Sequence, residues 1–243
     1  MRILLKLSYL GTNYHGWQVQ PNGITVQEEL QNALESLYQI RPGVTGCSRT
    51  DSGVHAKEFY CHYDSNKFIP ESNIVAALNT LLPNDISVVS CCYVEDDFHA
   101  RYSSKGKEYV YQIYNAKTPD PFLYDRTWHI NRELDTAKMD VFAKGLIGKH
   151  DFITFSSSGR TVTDTVRTVY DCSVEKTNDI IAVKISGDGF LYNMVRIIVG
   201  TLVDVSDGKI NPDSALCILE AKDRNRAGLT APPQGLFLNK VFY

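Results

Sequence analysis

The stretch Gly-Cys-Ser-Arg-Thr-Asp-Ser-Gly-Val-His-Ala, residues 46–56, places a base, a hydroxyl and an acid side by side as Arg49, Thr50 and Asp51. A glycine flanks them on each side, and glycine permits positive φ or the close approach of another chain segment. The stretch follows a helix pattern and precedes a strand pattern, so we expect a loop held at both ends. Such loops often carry chemistry. A second interpretation stays open here, in which Asp51 only hydrogen-bonds its own backbone in a polar turn.

The length and composition are those of a globular protein. The chain has 243 residues, of which 43% are hydrophobic and 22% charged, enough for one large domain or two moderate ones. No apolar run approaches the roughly 20 residues of a membrane span, and the chain does not open with a leader pattern. We therefore expect a soluble, cytoplasmic protein without a membrane partner.

The cysteine pattern does not indicate disulfides or a metal site. The six cysteines show no paired spacing, and those at positions 61, 91, 172 and 217 lie in apolar periodic segments. We expect these four to be reduced and buried. The sequence contains no Cys-x-x-Cys, and neither Cys61-His62 nor the Cys91-Cys92 pair has a zinc-site spacing, so no metal is expected.

The basic residues are unevenly distributed. The net charge is −3, which counts mildly against a nucleic-acid partner. Arg101, Lys105 and Lys107 nevertheless form one cluster, and a second covers residues 222–226. Because a local basic face can bind phosphate on a slightly negative protein, a nucleic-acid substrate is still possible.

The first hundred residues alternate between strand and helix patterns. Apolar residues at every second position predict a strand over residues 2–9. Thr25 with Glu28 forms a capping box that predicts a helix start. The further elements are a buried helix stripe of Val26, Leu30, Leu34 and Leu37, a strand around residues 59–63, a helix from Pro70 with Ile74, Leu78 and Leu81 inward, and a strand at 86–94.

The second half also alternates between strand and helix patterns, without a visible sequence repeat. Its predicted elements are a strand from Lys107 with Tyr109, Tyr111 and Ile113 on one face, a helix marked by Met139, Phe142 and Leu146, strands over 165–175 and 180–185, a long helix over 190–205, a helix starting at Asn211-Pro212, and a strand over 236–243. We predict an α+β fold of two mixed α/β lobes, residues 1–104 and 105–243, with antiparallel-rich sheets around a central cleft.

Arg196 and Tyr109 are the candidates outside the loop. Arg196 lies between apolar neighbours on its predicted helix, so we expect it to be partly buried and to need a carboxylate, which that helix does not offer before Asp204. If its partner is Asp51, the acid is held ionised as a nucleophile; otherwise Arg196 reaches solvent. Either Tyr109 or Tyr111 could stack on a nucleobase, or both could be packed in the core.

Several stretches together resemble the tRNA pseudouridine synthase A family. The resemblance covers nearly the whole chain, and its strength comes from the order and spacing of short motifs. The stretches are residues 9–12, 16–20 and 25–27, Arg49-Thr50-Asp51-Ser52-Gly53-Val54-His55-Ala56, Phe98-His99-Ala100-Arg101, Lys107-Glu108-Tyr109-Val110-Tyr111, Met194-Val195-Arg196 with Gly200, and Gly235-Leu236.

This resemblance implies a homodimeric enzyme that isomerises uridine to pseudouridine in the anticodon stem-loop of tRNA, in its 38–40 region, without cofactor or metal. It implies two α/β lobes around a basic cleft and a flipped substrate nucleotide. Asp51 would be the nucleophile and Arg196 its partner. Tyr109 would stack on the uracil, and Arg49 would hold the flipped nucleotide or fill its gap. Arg101, Lys105 and Lys107 would contact backbone phosphates.

The loop departs from the family pattern at two small residues. Ser48 and Ser52 stand where the family usually has glycine and alanine, which concerns loop conformation more than the nucleophile. Two other classes of protein compete with this interpretation. One is a non-catalytic RNA-binding module in which Tyr109 and Tyr111 stack bases. The other is a phosphotransfer enzyme with Asp51 as acceptor, which would need a second acid or a metal that the motifs do not offer.

Overall fold

A computed structural model describes residues 1–159 and 163–243, which form two compact units. Unit 1 contains residues 1–105 and 237–243, and unit 2 contains residues 106–236. Both units combine helices with a sheet, so the predicted mixed α/β fold class is confirmed. The polar segment 156–165, whose role the sequence leaves open, lies partly outside the described residues.

The sheet of unit 1 is built around its first strand. The strands are β1 (Arg2–Tyr9), β2 (Thr45–Gly46), β3 (His55–Asp64), β4 (Ile86–Val94) and β10 (Leu236–Phe242). They follow the order β4-β1-β3-β10, with β2 on β3. Strand β1 pairs antiparallel with both neighbours, and Ile3, Leu5 and Leu7 are fully buried, which confirms the predicted alternation.

The final strand belongs to the unit that contains the first. Strand β10 pairs parallel with β3, Phe237 opposite His55 and Leu238 opposite Ala56. A division into residues 1–104 and 105–243 therefore does not capture this strand. Nothing local in residues 236–243 specifies the partner, because the pairing joins segments about 180 residues apart in the chain.

Two helices complete unit 1. Helix α1 (Val26–Tyr38) begins as predicted, since the Thr25 side chain accepts a hydrogen bond from the Glu28 amide. Helix α2 (Glu71–Leu81) follows Pro70 and packs on β4. The prediction for Leu81 was wrong: it is 48% exposed, whereas Leu82 is 8% exposed. The helix ends at Leu81, and the extended backbone of Leu82 (φ −80°, ψ 150°) redirects the chain.

His62 is a buried, neutral histidine on β3. Its side chain is 6% exposed, and its Nδ1 accepts a hydrogen bond from the Ala100 amide at 3.1 Å. Burial lowers its pKa from 6.5 to about 4, and the positive charges of Arg2 and His99 add to the effect. The unfolded chain therefore binds a proton between these pH values that the folded chain does not bind.

Stability should consequently decrease as the pH falls from 6.5 towards 4. The contribution of His62 over this window is about 3 kcal/mol at most. A His62→Asn variant keeps a side-chain acceptor but cannot be protonated, so its free energy of unfolding should depend less on pH. Urea unfolding of both proteins at about pH 7 and pH 4.5 measures the difference. Equal losses in the two proteins would contradict the assignment.

Unit 2 contains an antiparallel sheet. The strands are β5 (Gly106–Tyr114), β6 (Trp128–His129), β7 (Gly148–Asp151), β8 (Val166–Thr177) and β9 (Ile180–Gly187). They follow the order β5-β9-β8-β7, all antiparallel, and β6 adds a short parallel pairing to β5. The predicted strands are present, and the expectation of antiparallel-rich sheets is confirmed within this unit.

The helices of unit 2 are α3 (Thr136–Lys144), α4 (Met194–Ser206) and α5 (Ala215–Ala221). Helix α3 packs on β8 and α4, with Met139 and Phe142 fully buried. Helix α4 begins four residues later than predicted, because Asn193 has a left-handed backbone (φ 59°) that does not belong to a right-handed helix. Within the described ranges, no helix is long and apolar enough to span a bilayer.

Helix α5 also begins later than predicted. Asn211 forms a turn instead of a cap, since its side chain accepts from the Asp213 amide at 2.9 Å and its carbonyl accepts from the Ser214 amide at 3.1 Å. The predicted burial of Cys217 was wrong, because α5 buries its opposite face through Ala215, Ile218 and Leu219. Cys61, Cys91 and Cys172 are buried as predicted.

Candidate active site

The loop that carries Asp51 is held by an earlier loop of unit 1. The Trp17 amide donates to the Thr50 carbonyl at 3.2 Å, and the Gly53 amide donates to the Tyr14 carbonyl at 3.2 Å. Within the loop, the Val54 amide donates to the Asp51 carbonyl at 3.1 Å. Asp51 therefore lies between two backbone anchors, so its position is set by main-chain bonds that do not depend on its own side chain.

Two glycines of the earlier loop allow this contact. An ideal Cβ at Gly11 would lie 2.0 Å from the Val54 carbonyl oxygen, and one at Gly16 would lie 2.5 Å from the Thr50 carbonyl oxygen. Gly16 also has a positive φ of 85°, which disfavours other residues. The motifs at residues 9–20 and 49–56 are thus parts of one structure, a relation that sequence spacing alone does not reveal.

Aromatic side chains next to Thr50 support the loop. The Thr50 hydroxyl lies 2.8 Å from the Tyr9 hydroxyl, and both residues are buried. The Tyr9 ring packs with those of Trp17 and Phe59, whose centroids are 4.1 Å apart. Gly46 allows this packing, since a Cβ there would lie 2.6 Å from the Trp17 ring nitrogen.

His55 has a structural role in unit 1. It is fully buried at the start of β3, and its Nδ1 accepts a hydrogen bond from the Gly11 amide at 2.9 Å. The ring packs against Phe237 at a centroid distance of 4.7 Å. His55 therefore connects the start of β3 to the earlier loop, through Gly11, and to β10, through Phe237.

The structure brings Arg49 and Asp51 together on this loop, with Arg49 exposed and Asp51 half-buried. Arg101 lies elsewhere in unit 1, in a turn where its amide donates to His99 Nδ1 at 3.1 Å. Its guanidinium lies 5.9 Å from the ring centroid of Tyr102, which is 76% exposed. An exposed cation beside an exposed ring suits contact with a nucleic-acid backbone and bases.

The other candidates lie in unit 2. On β5, Tyr109 is 6% exposed, and the Phe190 ring meets its ring edge to face at 5.1 Å. Tyr111 is fully buried and donates from its hydroxyl to the Pro232 carbonyl at 2.7 Å, so it is a core residue. Lys107 is 8% exposed, which leaves its side chain little surface for phosphate contact.

Arg196 lies in the first turn of α4, half-buried as expected. Its Nε donates to the Ala231 carbonyl at 2.7 Å, and its Nη1 donates to Asn193 Oδ1 at 2.8 Å. Neither acceptor was predicted from the sequence. Asn193 could have been predicted, because it lies three residues before Arg196 and therefore on the same face of the helix predicted over residues 190–205. Ala231 could not, since it comes from a distant loop.

That distant loop is fixed to α4 by close packing. An ideal Cβ at Gly200 would lie 1.8 Å from the Leu229 carbonyl oxygen, so only glycine fits. The Gly228 amide donates to the Thr201 hydroxyl at 2.9 Å, and the Ala231 amide donates to the Arg196 carbonyl at 3.0 Å. Gly200, part of the motif around Arg196, therefore holds the segment that orients this arginine.

Comparison with known proteins identifies the family. A family model described as tRNA pseudouridine synthase matches residues 7–103 and 142–243. The chain belongs to the tRNA pseudouridine synthase family. Proteins named tRNA pseudouridine synthase A are 49% identical in Thermoanaerobacter sp. (strain X514), over 99% of both chains, and 46% identical in Bacillus subtilis (strain 168), over 100% of this chain and 99% of the relative.

Membership of the tRNA pseudouridine synthase family makes the protein an isomerase acting on tRNA. A non-catalytic RNA-binding module and a phosphotransfer enzyme are therefore disfavoured. The matched ranges include the loops around Asp51 and Arg101 and the helix with Arg196, whereas Lys107 and Tyr109 lie between them. Among the described residues, no group of three or more histidine, cysteine or acidic side chains could hold a metal ion.

Proposed function

We propose that the protein converts uridine to pseudouridine in the anticodon stem-loop of tRNA, in the 38–40 region, with Asp51 as the nucleophile. The observation that carries the proposal is the anchored loop: a half-buried carboxylate between two main-chain clamps, in a family of tRNA isomerases. Anchoring matters because a reactive group contributes most when its geometry is fixed before the substrate binds.

The reaction requires the target uridine to leave its stack, at a cost of a few kcal/mol. Asp51 then initiates the step in which the bond between N1 of the base and C1′ of the ribose breaks. The base turns, C5 bonds to C1′, and the proton on C5 is lost while N1 gains one. Atoms and charge balance without an external reactant, so the proposal requires no cofactor.

The other residues have supporting roles in this proposal. Arg196 pairs with Asp51 and keeps it ionised. Tyr109 stacks on the uracil, with its ring orientation fixed by Phe190. Arg49, which is exposed beside Asp51, contacts the flipped nucleotide or fills its gap. Arg101 and Lys105, both exposed, and to a smaller extent Lys107, contact backbone phosphates.

The assembly and location also remain proposals. We propose a homodimer in which tRNA spans both subunits, as the resemblance to the family implies, and a cytoplasmic location, as expected from the sequence composition.

Release of tritium tests the function directly. A tRNA transcript with tritium at C5 of its uridines should release label into water when incubated with the protein, in the presence of a chelator and without nucleotide. A matched transcript with cytidine at positions 38–40 should release no label. Equal release from both would overturn the proposed substrate region, and no release from either would overturn the activity.

A further inference from the structure

We propose that Asn193 is a positioning residue that fixes the guanidinium plane of Arg196 for the reaction. This inference rests on the proposed role of Arg196. Asn193 lies outside the motif Met194-Val195-Arg196, directly before the first helical residue of α4. Its Oδ1 accepts the hydrogen bond from Arg196 Nη1 at 2.8 Å.

Two described acceptors hold nitrogens of the Arg196 guanidinium. Its Nε points to the Ala231 carbonyl, and its Nη1 points to Asn193. Because a guanidinium is planar and rigid, holding two of its nitrogens also fixes the direction of the third. Asn193 therefore supplies, together with Ala231, a contact that defines the guanidinium plane.

The side chain of Asn193 contacts Arg196 instead of capping helix α4. An asparagine before a helix commonly accepts a hydrogen bond from a backbone amide of the first turn, which stabilises the helix. Asn193 makes no such bond. Its left-handed backbone (φ 59°, ψ 8°) is one that asparagine tolerates better than most residues.

The opposite end of the amide is held as well. Asn193 Nδ2 donates to the Ser157 hydroxyl oxygen at 3.0 Å, and the Ser157 amide donates to the Tyr192 carbonyl at 3.1 Å. Arginine only donates, so the amide oxygen must face Arg196 and the nitrogen must face Ser157. Ser157 thus fixes the orientation of the Asn193 amide, and the amide in turn fixes the orientation of the Arg196 guanidinium.

The test separates the side chain from the backbone. Asn193→Gly keeps the left-handed conformation and removes the amide, so kcat should fall about 10- to 100-fold while KM changes less than about threefold. The matched control is Asn178→Gly, at a left-handed residue (φ 52°) in the turn between β8 and β9. Its kcat should equal that of the unmodified protein.

A double-mutant cycle tests whether Asn193 acts through Arg196. In an Arg196→Lys background, lysine has no plane to orient, so adding Asn193→Gly should lower kcat by less than about threefold. A general structural defect would instead lower kcat by the full factor again and overturn the inference. Ser157→Ala removes only the acceptor of Asn193 Nδ2 and should lower kcat by a smaller factor, which keeps the test valid if Asn193→Gly folds poorly.

The outcomes distinguish this inference from the proposed function. If Arg196→Lys keeps the unmodified kcat, the role of Arg196 is wrong and the positioning role fails with it. If Arg196→Lys is impaired while Asn193→Gly and Ser157→Ala both keep the unmodified kcat, only the inference about Asn193 is overturned.

Discussion

Asp51→Asn should reduce tritium release from tRNA to background. Removal of a nucleophile typically lowers kcat by about 10⁴-fold or more, because the amide cannot replace the carboxylate in the bond-making step. The fold should be retained, since the loop is held by main-chain bonds of Thr50, Gly53 and Val54. Thermal unfolding and tRNA binding should therefore stay close to those of the unmodified protein while turnover is lost.

The matched control is the same substitution at an exposed acid of unit 1 outside the loop. Asp97→Asn should retain full activity, because Asp97 is exposed and is not among the proposed site residues. The assignment of the nucleophile would be wrong if Asp51→Asn kept more than about a hundredth of the unmodified rate. It would also be unsupported if the variant lost its fold together with its activity.

Local sequence patterns predicted the regular elements well where residues close in the chain determine the structure. The alternation in β1 and the Thr25 cap of α1 depend on neighbouring residues, and both were confirmed. The start of α4 was misplaced because the apolar run continues through Phe190 and Leu191, while the backbone at Asn193 interrupts the helix. Hydrophobic periodicity predicts which face of an element is buried, but it does not predict a residue with a left-handed backbone conformation.

Contacts between segments distant in the chain limited how much of the fold and of the site could be predicted from the sequence. The loop around Asp51 was predictable as a loop, because glycines and polar residues separate a helix from a strand. Its attachment to Tyr14 and Trp17 was not, since those bonds join segments more than 30 residues apart. The same holds for Ala231, which accepts from Arg196 across 35 residues. Short strands such as β2 and β6 carry too few residues for a pattern.

Arg196→Ala should weaken both the fold and the reaction. The substitution removes the donors to the Ala231 carbonyl and to Asn193 Oδ1, and an unsatisfied buried acceptor costs about 1–3 kcal/mol. Stability should fall by about 2–4 kcal/mol, which lowers the melting temperature by roughly 5–15 °C for a chain of this size. Turnover should fall by about 10²- to 10³-fold, as for loss of one charge-stabilising group.

The pH dependence of the Arg196→Ala variant separates its two effects. If the guanidinium keeps Asp51 ionised, its loss favours the protonated acid, so the acid limb of the rate profile should move to higher pH. Arg196→Lys retains the positive charge without the planar fork, so this limb should move less in that variant although turnover is still reduced. Kinetics with tRNA across the acid range measure both shifts. A limb that stays in place in Arg196→Ala would contradict the pairing with Asp51, and an unchanged melting temperature would contradict the structural role of its hydrogen bonds.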